Sequence, residues 1–209
     1  MSAALGLVEI NGWSPAMVIL DAMEKTATVT LLQVELNDRP GVCMKINGSL
    51  EDVRTAVEAA IALAGQMEAE CISDVIARPD EGSRLAYEPS PDYNPLIEQA
   101  TVHVPVPSKK KKEKSMAMQA PFAVGLIETQ GFTAVFEAID TAVKTADVEV
   151  LAREKLGGGY ITVLIKGDVA AVRAAVEAGK AKVDGLGRLI AAHVIPSPSE
   201  AVLSLIPKS

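Results

Sequence analysis

Histidine, cysteine and aromatic residues are scarce in this chain of 209 residues, which holds two histidines, two cysteines and 3% aromatic side chains. A nucleophile with a histidine base, or a metal centre of histidine and cysteine ligands, would have to draw on this small set. His103 and His193 lie far apart in the sequence, and Cys43 and Cys71 form no CxxC pair. The sequence therefore predicts no catalytic residue, no metal site and no cofactor.

The shortage of aromatic residues also constrains the interior, because hydrophobic residues still make up 49% of the sequence. The core must be built mainly from Ala, Val, Ile and Leu. Such side chains suit thin layers of helix on sheet, and flat contacts between subunits, better than deep aromatic pockets. The length allows one large domain or two of about 100 residues, and either can bury a core.

Positive charge is in deficit as well, with a formal net charge of −7. This balance argues against a general affinity for nucleic acid, since neutralising phosphates requires a basic surface. No apolar run reaches the roughly 18 residues of a membrane span, and the first residues lack the basic region of a signal peptide. We therefore expect a cytoplasmic protein that binds neither nucleic acid nor membrane.

The sequence contains one unit written twice. A fixed offset of 119 residues aligns Gly6–Glu9 with Gly125–Glu128 and needs no gap as far as Pro79 and Pro198. About 23 of the 74 paired positions are identical. Identity at this level along one offset indicates a tandem duplication.

Each copy is predicted to fold as β-α-β-β-α-β, in the α/β (α+β) class. Ser14 and Pro15 indicate a helix start, Ser49 and Asp52 resemble a capping box, and Gly65 is a reasonable helix stop. The predicted elements of the first copy are strands at Leu5–Ile10, Thr28–Glu35, Val42–Ile46 and Cys71–Ala77, with helices from Ser14 to about Lys25 and from Ser49 to Gly65. In the second copy the last strand is predicted over Arg188–Ile195.

These patterns divide the chain into a first domain at 1–80, a linker at 81–120 and a second domain at 121–209. The linker alternates prolines with polar residues and then carries the charge run Lys109–Lys112. Such a composition is typical of an extended connector, and solvated lysines are favoured over a docking site. A short helix is predicted at Leu96–Ala100.

A triple glycine separates two predicted strands of the second copy, Val148–Leu151 and Tyr160–Ile165. Because glycine lacks Cβ, it tolerates positive φ angles and allows close approach to its amides. On its own the turn could be an ordinary flexible hairpin. Its position inside a domain that occurs twice favours a functional role for this turn over an ordinary hairpin.

Five motifs lie along the second copy, at Gly125–Thr129, Asp140–Val148, Glu154–Gly159, Gly167–Val172 and His193–Pro196. Together they resemble the bacterial microcompartment shell domain. The resemblance implies a tandem, ferredoxin-like shell domain of the non-permuted class. Members of that class form homotrimers that imitate a hexamer, sit in a compartment shell with hexamers and pentamers, and provide a pore for small metabolites.

The resemblance also implies roles for individual residues. The hairpin between the second and third strands is expected to line the pore, through Asn37, Asp38, Arg39, Pro40, Lys155, Leu156, Gly157, Gly158 and Gly159. Edge contacts between neighbouring assemblies are expected at Lys25, Lys144 and Arg78. The hairpins differ between the copies, so a three-fold rather than six-fold opening is predicted. Three copies of Arg39 near one axis would favour anions, unless Asp38 pairs with a neighbouring Arg39.

Two other classes of protein remain open on the residues alone. Glu9 and Glu128 occupy equivalent places in the first strand and could be a pair of catalytic acids, although a structural role is the better interpretation. A β-α-β-β-α-β unit is also shared with regulatory modules that sense small molecules between subunits, and fold alone does not decide function. Tiling into sheets would favour a shell protein, whereas stabilisation by a ligand would favour a sensor.

Overall fold

A computed structural model describes residues 3–37, 41–105 and 122–206. The chain divides into two compact units, Met1–Pro105 and Val106–Ser209. Each unit contains the predicted β-α-β-β-α-β order, so the predicted fold class is confirmed.

The first unit adds a tail of short elements to the duplicated domain. Its strands and helices are β1 (Ala4–Asn11), α1 (Trp13–Thr26), β2 (Val29–Leu36), β3 (Gly41–Gly48), α2 (Leu50–Gln66), β4 (Cys71–Ile76), a 3₁₀ turn (Glu81–Ser83), α3 (Arg84–Tyr87), β5 (Tyr93–Asn94), β6 (Gln99–Ala100) and β7 (Val102–His103). The second unit follows the same plan and ends in a short helix. Its elements are β8 (Ala123–Gln130), α4 (Phe132–Thr145), β9 (Val148–Gly157), β10 (Tyr160–Gly167), α5 (Val169–Lys180), β11 (Arg188–Ile195) and α6 (Glu200–Leu205).

Each unit is a layer of two helices on an antiparallel sheet. The strand orders are β4-β1-β3-β2 in the first unit and β11-β8-β10-β9 in the second, and β7 extends the first sheet at β2. This order places the second and third strands in a hairpin at one end of the sheet. In the second unit the core lies between Ile127 and Ile165 of the sheet and Ala138 and Val176 of the helices. The small side chains predicted from composition do form this thin interior.

The local signals at the helix ends had mixed outcomes. Ser49 accepts a hydrogen bond from the amide of Asp52 at 3.1 Å, so the predicted cap of α2 is confirmed. The predicted cap at Ser14 is wrong, because α1 already begins at Trp13 after Gly12, whose φ is 100°. Gly65 does not end α2, which continues to Gln66. Its φ is compatible with a helix, so glycine alone did not force a stop.

Residues 88–105 form a strap folded on the first unit. Within it β5 pairs with β6, and β7 pairs with the edge strand β2. The helix predicted at Leu96–Ala100 is wrong, since these residues form a turn and then β6. The strap lies inside the predicted linker 81–120, so this part of the linker is packed rather than extended. The Lys109–Lys112 run lies outside the described residues.

Candidate functional site: the two inter-strand hairpins

The hairpin of the second unit has a two-residue loop at Gly158 and Gly159, closed by the pairing of Gly157 with Tyr160. The φ angles of Gly157, Gly158 and Gly159 are 88°, 58° and 81°. Two positive central angles are the requirement of a type I′ turn, whose twist matches that of the flanking strands. A residue with a Cβ would be strained there by about 1–2 kcal/mol. The turn therefore needs the glycines for its shape as well as for its bareness.

The end of β8 holds this hairpin in place. The amide of Gly131 donates to the carbonyl of Gly159 at 3.0 Å, and Nε2 of Gln130 donates to the carbonyl of Gly158 at 3.2 Å. Of the two residues that precede the glycines, Leu156 is buried with 5% exposure. The ammonium of Lys155 lies 6.0 Å from the ring centre of Phe132, the first residue of α4. The glycines alone thus form the bare tip.

The hairpin of the first unit is held by Asn37. Its amide donates to the carbonyl of Gly41 at 3.2 Å, and the amide of Gly41 donates to Oδ1 of Asn37 at 3.1 Å. Nδ2 of Asn37 also donates to Oε1 of Glu9 on β1. The side chain of Asn37 is therefore engaged in closing the turn. The other predicted rim residues of this copy, Asp38, Arg39 and Pro40, lie outside the described residues.

A row of three paired residues, of which the outer two are acidic, crosses each sheet close to its hairpin. In the first unit Glu9 and Glu35 flank Cys43 on neighbouring strands, and Glu35 pairs with the buried Lys45. Burial, as the largest cause, raises the pKa of the Cys43 thiol, so Cys43 is a poor nucleophile at neutral pH. The carboxylate of Glu9 accepts a hydrogen bond from the side-chain amide of Asn37, so it contributes to holding the hairpin.

The second unit repeats this row with Glu128 and Glu154 flanking Thr162. All three residues are fully buried. Glu35 and Glu154 were not recognised from the sequence as parts of the row. Their identity under the 119-residue offset, together with the Glu9 and Glu128 match, was the signal that could have found them.

The predicted edge residues lie away from the hairpins. Nζ of Lys25 is 2.6 Å from Oδ2 of Asp21, and Nζ of Lys144 is 2.5 Å from Oδ2 of Asp140, each within the last turns of a helix. The bond with Asp140 raises the pKa of Lys144. Both lysines and Arg78, which follows β4, are exposed. The positions are thus accessible, while each lysine already has an internal carboxylate partner.

The two histidines lie in different units, and each is half-buried. Burial lowers the pKa of both His103 and His193, which keeps them neutral at pH 7. Across residues 3–37, 41–105 and 122–206, no three His, Cys, Asp or Glu side chains cluster as a metal site would need. Within the same ranges no helix has the length and apolar character to cross a membrane.

The two copies coincide with two matches to one protein family. Residues 4–79 and 123–198 each match the BMC domain, and the two matches keep the 119-residue offset of the duplication. The chain belongs to the BMC domain family. The predicted resemblance to microcompartment shell proteins is thereby confirmed, with two BMC domains in tandem.

Relatives of this tandem BMC domain chain include shell and assembly proteins. It is 31% identical over 210 residues to the carboxysome assembly protein CcmO of Synechococcus elongatus, covering 99% of this chain and 70% of that protein. It is 46% identical over 86 residues to the bacterial microcompartment shell protein PduA of Salmonella typhimurium, covering 41% of this chain and 92% of that protein.

A solved microcompartment protein from Desulfitobacterium hafniense DCB is 25% identical and covers 96% of this chain and 97% of its own. The TM-score between that structure and this chain is 0.38.

Proposed function

We propose that this BMC domain protein is a structural component of a microcompartment shell inside the cell. In the proposal three chains form a ring of six domains, the rings tile in a layer with other shell proteins, and small metabolites cross at the ring centre. Membership of the family and the names of the relatives support the shell role. The ring itself is supported by one structural observation, which is the difference in exposure between the two copies.

The first helix of each copy shows this difference. In α1, Trp13 and Met17 are each 1% exposed. Their counterparts in α4 under the offset are Phe132 and Phe136, which are 42% and 49% exposed. The two phenylalanine rings lie 6.1 Å apart, so they form one apolar patch on α4. The helix surface that is buried on α1 is therefore exposed on α4, where another chain can contact it.

The last strand shows the opposite difference. Ile72 and Ile76, on the sheet face of β4 that points away from the helices, are 60% and 37% exposed. Ile195, the counterpart of Ile76 in β11, is 2% exposed. The chain thus presents an open helix surface on one copy and an open sheet surface on the other. Contact between the α4 patch of one chain and the β4 face of the next is a head-to-tail contact, which generates a ring if the rotation closes.

In the proposed ring of six domains, two domains per chain give three chains, and both kinds of hairpin lie toward the axis. The rim would alternate three bare glycine turns with three turns of Asn37–Pro40. Removing Arg39 is then expected to lower the preference of the opening for anions, because three guanidinium groups are lost. Ion flux through reconstituted layers of the wild type and of Arg39→Ala measures this, and an equal anion preference in both would contradict it.

The edge of the ring is proposed to carry Lys25, Lys144 and Arg78. Reversing the charge of both lysines with Lys25→Glu and Lys144→Glu should abolish sheets but leave trimers. The physical reason is that the edge of the ring loses the ammonium donors of both lysines. Each new glutamate would also be repelled by the carboxylate of Asp21 or Asp140 on its own helix. Sedimentation measures the mass, and electron microscopy of the same sample records sheets.

The wild type is expected to sediment as three chains and to form sheets in this experiment. A monomeric wild type would overturn the ring proposal. Trimers that still form sheets after both reversals would contradict only the edge role, so the two parts of the proposal fail separately.

A further inference from the structure

The strap binds the end of β2 at several points. The amide of Leu36 donates to the carbonyl of Thr101 at 2.8 Å, and Glu35 pairs with Val102 in the ladder. Leu36 directly precedes Asn37, the residue that closes the first hairpin. The strap therefore supports the strand that leads into that hairpin. No strand covers β9, the equivalent edge of the second unit, within the described part of the chain.

Two further contacts anchor the strap to the sheet of the first unit. Nε2 of Gln33 donates to the carbonyl of Pro89 at 3.3 Å, and Gln33 in turn accepts from Nζ of Lys45 at 3.3 Å. Inside the strap, the amide of Thr101 donates to the carbonyl of Asp92 at 2.8 Å. These hydrogen bonds are few, and each contributes only a modest net free energy. We therefore expect the strap to detach at a lower free-energy cost than the sheet beneath it needs to unfold.

The last strand of the strap ends on a buried aromatic contact. The ring centre of His103 lies 5.3 Å from that of Trp13, with the planes tilted by 57°. Trp13 is 1% exposed and is the first residue of α1. Nε2 of His103 is buried, and none of the described residues forms a hydrogen bond with it. A proton on this nitrogen would be a buried charged donor without an acceptor, which is costly.

We propose that docking of the strap stabilises the Asn37 hairpin, and that protonation of the His103 imidazole releases the strap from the sheet. The neutral ring packs on Trp13 and keeps β7 on the edge of β2. The charged ring gains more from water than from this apolar site, so β7 leaves. Release exposes Trp13 and frees the amide of Leu36, which loosens the strand end next to the hairpin.

The charged groups around His103 do not offset this cost. The one carboxylate of β2 belongs to Glu35, which is paired with Lys45 of β3. The first turn of α1 has no acidic residue, and the carboxylates of the strap are Glu88, Asp92 and Glu98. Burial is the single cause that lowers the pKa of His103. Docking is therefore fully stabilised above the ordinary histidine pKa of about 6.5 and weakens as the pH falls below it.

The test follows Trp13 and Leu36 in the full chain between about pH 7.5 and pH 5, a range in which histidine titrates before most carboxylates. Trp13 is the only tryptophan, so its emission reports on this site alone. We expect the emission to shift to longer wavelengths toward pH 5. We also expect hydrogen exchange at the amide of Leu36, corrected for its intrinsic pH dependence, to become about tenfold faster, which corresponds to a loss of about 1.4 kcal/mol in the free energy of strap docking.

Two variants remove the titration while keeping a side chain at the site. His103→Phe preserves the ring contact and His103→Gln preserves a polar group, and both should lose the pH response of Trp13 and Leu36. His193→Gln is the matched control, because it removes the other half-buried histidine and should keep the response.

A wild-type Leu36 amide that is equally protected at both pH values would overturn the proposal. The same pH response in a folded His103 variant as in the wild type would also overturn it. Neither readout depends on the ring, and the sedimentation mass of each sample shows whether the ring is present.

Discussion

Replacing Phe132 and Phe136 together by aspartate is expected to leave folded monomers, whereas the proposed ring predicts trimers for the wild type. Both side chains are about half exposed in the single chain, so neither is needed to complete the core of its unit. In the proposed ring both become buried against the next chain. Aspartate there would remove the apolar contact and would place two charges in a surface that excludes water.

The size of this effect follows from the energetics of interface aromatics. Truncating an aromatic residue that is a hot spot at the centre of an interface costs about 2 kcal/mol or more. Two such losses amount to about 4 kcal/mol per contact, or a factor of roughly 1,000 in affinity, before the cost of burying the carboxylates is added. Because a ring of three chains has three such contacts, sedimentation at micromolar concentration should show a complete shift in mass.

Ile61→Asp is the matched control for this double variant. Ile61 on α2 is 50% exposed, close to the 49% of Phe136, but it lies outside the surfaces assigned to the ring. The control should remain trimeric, and circular dichroism should show native helix content in both variants. Trimers in the folded double variant would remove α4 from the proposed contact.

Replacing Gly179 by alanine is expected to destabilise the second unit by about 2 kcal/mol. A Cβ at this position of α5 would lie 2.7 Å from the carbonyl oxygen of Ala138 on α4 and 2.7 Å from Cδ1 of Ile127 on β8. The backbone oxygen cannot move without shifting α4, so the helices must separate. Overpacking of this kind costs about 1–3 kcal/mol, which outweighs the gain in helix propensity. Thermal unfolding should show a midpoint lower by about 4–8 °C for each kcal/mol.

Gly65→Ala is the opposite change at a comparable helical position. No atom lies within 4 Å of the added Cβ at Gly65, which sits near the end of α2. The alanine should therefore stabilise the first unit by about 0.4–1 kcal/mol, because it lowers the entropy of the unfolded chain. Denaturant unfolding of both variants measures the contrast. An increase in stability for Gly179→Ala would show that the two helices yield more easily than the structure indicates.

Local sequence signals were reliable where the chemistry of one residue decides the conformation. The glycines between β9 and β10 predicted a tight turn, and their positive φ angles confirm it. The cap at Ser49 was also correct, because its hydroxyl needs only the amide of Asp52 three residues later. The cap at Ser14 failed because Gly12 and the packing of Trp13 let the helix begin earlier. Tertiary contacts there outweighed the local preference.

The strap shows a different limit of sequence reasoning. Its prolines and polar residues are typical of a connector, and they do avoid regular structure over most of its length. What the composition could not show is that Val102 and His103 pair with β2 and that His103 meets Trp13, 90 residues away in sequence. Such long-range pairing depends on which edge of the sheet lies open.

The sequence by itself determined the duplication, the β-α-β-β-α-β order and the family, because these rest on periodicity and on motifs that recur at one offset. Only the tertiary structure decided that Phe132 and Phe136 are exposed while Trp13 and Met17 are buried. Trp13 and Met17 are apolar like their counterparts Phe132 and Phe136, so the residue types do not show which pair is covered. Exposure is a property of the folded chain as a whole, and for that reason no window of sequence contains it.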